Sequence, residues 1–135
     1  MPIYSRRFSS TDLAFSGVEI LATQLRAAFN ARDIDTLAGL LAEDARWGED
    51  PDGPTTCRNR AEIIANFKRL LDEGARASIT ETTTGPRGVA CLLDVEWPDP
   101  RGRSSFYQVY VVTDGLVTEI RGYDDQDFAL AAISN

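Results

Sequence analysis

The stretch FNARDIDTLAGLLAEDARWGEDP, Phe29 to Pro51, decides how this chain reads. It gives the end of one helix near Asn30 and then a short second helix. Asp33 caps the second helix, which carries Ile34, Leu37, Leu40 and Leu41 inward. A strand follows from Ala45 to Glu49 and stops at Glu49-Asp50-Pro51. Two carboxylates therefore stand where a strand leaves a mostly apolar environment. Burial disfavours the charged form of a carboxylate and raises its pKa, which turns it into a useful proton acceptor.

On the N-terminal side, residues 1–15 read as a polar arm with Arg6 and Arg7, and residues 16–135 as one domain. Ser16-Gly17-Val18-Glu19 is a capping box, with Ser16 as N-cap. Val18, Leu21, Leu25, Ala28 and Phe29 then form a one-faced stripe at helical spacing. On the C-terminal side, DPDGPTT (50–56) is a turn-rich loop. Asn59 is placed to cap a third helix bearing Ile63, Ile64, Phe67, Leu70 and Leu71, and Gly74 to stop it.

The period then changes from 3.6 to 2. Strands are predicted over 76–84, 87–97, 103–113 and 116–124, punctuated by Gly85-Pro86, Pro98 to Gly102 and Asp114-Gly115. A last helix over about 126–133 takes Asp125 as its N-cap. Three helices followed by an antiparallel meander make an α+β layout with helices on one sheet face.

Composition narrows the chemistry. A chain of 135 residues with 43% apolar and 26% charged residues is an ordinary single globular domain. A net charge of -7 argues against nucleic acid or an anionic membrane as partner, because both require a basic surface. No apolar run is long enough for a membrane span and no secretory signal is visible, so a cytoplasmic location is expected. Cys57 and Cys91 fit no metal or redox spacing and read as buried free thiols. There is no histidine, which removes His bases, His ligands and Ser-His or Cys-His pairs together. No calcium-loop spacing is present either, and neither cofactor nor metal is expected.

Four segments carry a family resemblance over about residues 16–130. They are NARDIDTLAGLLAEDA (30–45), Glu49-Asp50-Pro51 with Gly53, Asn59-Arg60-Ala61-Glu62-Ile63, and Asp114-Gly115-Leu116-Val117 followed by Ile120-Arg121-Gly122-Tyr123-Asp124-Asp125. Together they resemble the NTF2-like (SnoaL-like) superfamily, nearest to its ketosteroid-isomerase branch. The resemblance implies a cone: a curved antiparallel sheet wrapped around three N-terminal helices, with a central pocket.

It also implies roles. The branch's catalytic acid falls on Glu49 when matched without a gap and on Asp50 when matched on the proline. Trp47 and Glu49 share a face, which favours Glu49. The branch's oxyanion-binding tyrosine falls on Leu25 and its protonated aspartate on Gln108, so an amide stands where a stronger donor is usual. In other branches a last-strand acid falls on Gly122, and Asp124, two residues on, points the same way. The resemblance thus implies Glu49, Asp50 and Asp124 as catalytic candidates. For substrate contact the candidates are Trp47, Phe67, Gln108, Tyr110 and Ile120. Asp94 and Glu96 read as surface acids among Leu93, Val95 and Trp97, and Arg60 as a member of a structural ion pair.

The expected activity is that of a cofactor-free isomerase, dehydratase or cyclase acting on a small apolar carbonyl compound. The alternatives are a non-catalytic domain that binds a small hydrophobic ligand and an interaction module with a filled cavity. A homodimer through the sheet face is expected, because strands 87–97 and 103–113 carry apolar residues on both faces and both need cover.

Overall fold

A computed structural model describes residues 10–48 and 56–134. Its elements are α1 (Ser10–Ala31), α2 (Ile34–Leu40), β1 (Leu41–Trp47), α3 (Arg60–Asp72), β2 (Arg76–Gly85), β3 (Gly88–Glu96), β4 (Arg103–Thr113), β5 (Leu116–Tyr123) and α4 (Gln126–Ala132). The strands form one curved, unclosed sheet in the order β1-β5-β4-β3-β2. β2 to β5 meander antiparallel, and β1 joins the edge parallel to β5. The fold is α+β, as the sequence implies, but the sheet is mixed.

Three features differ from the sequence reading. α1 begins at Ser10, so Ser16 lies inside the helix and does not cap it. A capping box is a local preference, and Leu13, Ala14 and Phe15 upstream of it favour continuing the helix. Leu41 opens β1 and does not close α2, because it pairs with Val117 of β5; tertiary pairing outweighs the helical look of LAEDA. Finally, the helices do not all share one sheet face. α1 to α3 cover the concave side, whereas Ala129 and Ile133 of α4 pack against Ala90, Val109 and Val111 on the other. Part of the apolar outer surface that suggested a dimer is thus covered by the chain itself.

The caps follow sequence chemistry. Asp33 accepts from the Thr36 backbone N–H at 3.2 Å, Asn59 from Glu62 at 2.9 Å, and Asp125 from Asp127 at 2.7 Å. α3 ends in a Schellman motif. Gly74 has φ +101° and bonds Leu71 O at 3.0 Å, and Ala75 bonds Leu70 O at 3.0 Å. α1 ends the same way, with Arg32 bonding Phe29 O at 3.1 Å and Asp33 bonding Ala28 O at 2.8 Å. Here an arginine, at φ +57°, takes the place where glycine is usual.

Two tertiary ties position these parts. The Asn30 side chain accepts from the Ile79 N–H at 2.8 Å and donates to the Ile79 carbonyl at 3.1 Å, pinning α1 to the bulge in β2. Trp47 and Cys57 exchange two backbone bonds of 2.9 Å.

Candidate functional site

Side chains that alternate along a strand decide what the concave face presents. Across β3, β4 and β5 the inward rows are Val89–Tyr110–Ile120 and Cys91–Gln108–Gly122, with Leu93–Phe106 beyond them. The first row is sealed: Val89, Tyr110 and Ile120 are all fully buried. At Gly122 a Cβ would meet nothing within 4 Å, so the second row is bulky on one side and bare on the other.

Beside these rows, between the sheet and the helices, lies a cavity of about 120 Å³. Its wall is apolar, with Phe29 from α1, Trp47 from β1, Phe67 from α3, and Leu93 and Trp97 from β3 and its end. Phe67 stands edge-on to Phe29 at 6.1 Å and tilted over Trp47 at 4.9 Å, so the aromatic wall is packed and not loose. Both tryptophans of the chain line the cavity.

Among the described lining residues, two carry polar groups of functional interest. Gln108 lies at the sheet side, and Arg32 comes from the turn between α1 and α2. The buried Tyr110 hydroxyl donates to Gln108 Oε1. That bond fixes the amide, because an oxygen that already accepts leaves Nε2 as the group turned outward. Among the described residues no acceptor bonds Nε2, and no buried side-chain N or O atom lacks a partner, so this nitrogen is open to the cavity. Burial pushes the Tyr110 phenol well above 10.0 and the neighbouring Cys91 thiol up to about 12, so both stay neutral at physiological pH. Burial raises the Cys57 thiol as well.

The sequence candidates separate. Trp47, Phe67 and Gln108 line the cavity. Tyr110 lies behind Gln108 and orients it. Ile120 is packed core, paired with Trp47 and Tyr110. Asp124 is exposed and borders a separate open hollow with Phe106, Gly122 and Phe128. Glu49 and Asp50 lie outside the described residues.

Arg60 forms no ion pair with another described residue; its guanidinium donates to Leu41 O at 3.5 Å. Asp94 is a surface acid bound to Arg103 at 3.1 Å. Leu25, where the branch's tyrosine would fall, is buried core. Among the described residues no three acids or thiols converge to hold a metal ion.

Gly48, Thr56 and Cys57, described residues on either side of 49–55, are themselves closely fixed. Gly48 donates to Ile120 O at 3.3 Å, and a Cβ on it would come within 2.9 Å of Thr56 Oγ1. Cys57 is tied to the wall residue Trp47 itself. Sequence reasoning missed Arg32 and Trp97. An arginine and not a glycine directly after a helix, one residue before the next N-cap, was the available signal for Arg32.

The fold has known counterparts. A candidate ketosteroid isomerase from Kribbella flavida DSM 17836 superposes with TM-score 0.68 at 21% identity, covering 83% of this chain and 80% of that one. A candidate polyketide cyclase from Xanthomonas campestris pv. campestris gives 0.66 at 20%, covering 90% and 99%. A Mycobacterium tuberculosis protein in complex with estradiol-17beta-hemisuccinate gives 0.61 at 20%, covering 82% and 95%. At these identities the likeness concerns the fold. No curated protein sequence matches the chain. The SnoaL-like domain model matches residues 22–120, well over half of the sequence, and on that ground the chain belongs to the SnoaL-like family.

Proposed function

We propose that the cavity receives a small apolar molecule bearing a carbonyl and that the protein is a cofactor-free isomerase, dehydratase or cyclase acting on it. The observation that carries this reading is the oriented Gln108 amide, an open donor set in an otherwise greasy wall. A donor fixed beforehand stabilises charge that develops on a carbonyl oxygen without reorganising in the reaction. The base in this reading is Glu49 or Asp50, two and three positions after the cavity-lining Trp47 in the sequence. Steroid and polyketide names among the structural neighbours agree with an apolar carbonyl substrate.

The test has two stages. A panel of alicyclic and aryl ketones is screened for thermal stabilisation, with Gln108→Leu as control. Ketones that bind are then incubated in D2O, and exchange alpha to the carbonyl is followed by NMR. Exchange that disappears in Glu49→Gln or Asp50→Asn assigns the base. Binding without exchange in the native protein leaves the same cavity as a ligand-holding site and removes the enzymatic reading.

A further inference from the structure

We infer that the cavity selects an amphipathic anion: an apolar body whose far end carries a carboxylate or comparable acid, held at the mouth by Arg32. This deepens the proposed function and rests on its cavity.

Arg32 is the charged member of the described cavity lining, and no described carboxylate shares that wall. Its guanidinium bonds the Asn30 carbonyl at 3.1 Å and forms no ion pair among the described residues. The adjacent Asp33 carboxylate is already engaged. It takes the Thr36 hydroxyl at 2.6 Å and the Thr36 backbone N–H at 3.2 Å, and these bonds hold its pKa below the usual value. The guanidinium therefore keeps donors for a ligand oxygen.

The backbone supplies an independent observation. Arg32 occupies the left-handed position of the Schellman turn, at φ +57°, where a side chain is strained and glycine is relaxed. A residue that strains its turn yet lines the cavity marks a place where the side chain matters more than the turn. The chain's net charge of -7 makes a local cation still more telling. At physiological salt the general repulsion of an anion fades within about 8 Å, and a guanidinium at the mouth acts inside that range. Its planar fork suits a carboxylate.

The probe is 6-acetyl-2-naphthoate, which has a flat apolar body, a ketone for Gln108 and a carboxylate at the other end, compared with its methyl ester by calorimetry. The acid is expected to bind about tenfold or more tightly than the ester, as one charge-assisted contact implies. Arg32→Gly and Arg32→Asn, which both suit a left-handed backbone, should erase that preference and bring acid and ester to equal affinity. Arg32→Gly should at the same time raise Tm. Arg87→Gln removes the same charge away from the cavity and should keep the preference.

Equal binding of acid and ester, or a preference that survives Arg32→Gly, overturns the anion inference and leaves the cavity reading standing. Failure of both ligands to bind overturns both.

Discussion

The Tyr110 hydroxyl donates to the side-chain oxygen of Gln108, two residues earlier on the same inward row of β4. A phenol that is fully buried and kept neutral thus decides which way an amide faces at the cavity wall. Removing either partner has unequal consequences. Gln108→Leu strands a buried hydroxyl and should cost about 1–3 kcal/mol, whereas Tyr110→Phe removes one bond and leaves Gln108 beside the cavity, at about 1 kcal/mol. Urea denaturation of both variants and of the double variant checks this; the double variant should cost less than the sum of the singles.

Two strand glycines on opposite faces of the sheet should behave oppositely. A Cβ at Gly88 would lie 2.1 Å from Tyr110 O and 3.0 Å from Val111 Cα, backbone atoms that cannot move aside. Gly88→Ala should therefore destabilise by on the order of 3 kcal/mol or fail to fold. At Gly122 a Cβ meets open space, and Gly122→Ala should change stability by about 0.5 kcal/mol at most. Thermal melts of the pair distinguish them.

Phe67→Ala should cost about 3 kcal/mol, because it removes an aromatic ring packed between Phe29 and Trp47. It should also enlarge the cavity and shift tryptophan emission to the red, since Trp47 loses its neighbour and Trp97 lines the same space. Emission unchanged by the substitution would contradict the aromatic wall described above.

Stability should fall on the alkaline side. Cys91 titrates at about 12 in the folded protein against an ordinary 9.0, and Tyr110 well above 10.0. Their neutral forms are favoured by folding, so the associated stability is fully present below about pH 9 and is lost as pH rises from there. Each group contributes a slope of up to about 1.4 kcal/mol per pH unit. Urea midpoints measured from pH 8 to 11 check it. Cys91→Val, which keeps the site apolar, should flatten the decline.

Much of the fold was legible because each strand carries its own punctuation. β4 was read at its observed limits, and β2, β3 and β5 to within one residue at each end, since Gly85-Pro86, Pro98 to Gly102 and Asp114-Gly115 break the period-2 pattern. Asp33, Asn59, Gly74 and Asp125 were legible as caps for the same local reason. Leu41 was not, because it becomes a strand residue through Val117, a partner 76 positions away in the chain. The side taken by α4 is likewise settled by Val109 and Val111, not by its own seven residues.

At the site, sequence alternation placed Trp47, Phe67 and Gln108 near one space, but it could not separate lining from support. Ile120 and Tyr110 share the inward direction with Gln108 and lie one layer deeper. Arg32 escaped because its position depends on a left-handed turn that no apolar pattern announces.

The double bond from Asn30 to Ile79 has a consequence for how this molecule keeps to itself. β2 is an outermost strand of the sheet, and such a border is where another polypeptide can add on. By taking both the N–H and the C=O of Ile79, the asparagine amide imitates a neighbouring strand at the point where β2 bulges. A side chain from the first helix thus occupies one position of a border along which a foreign strand would otherwise pair.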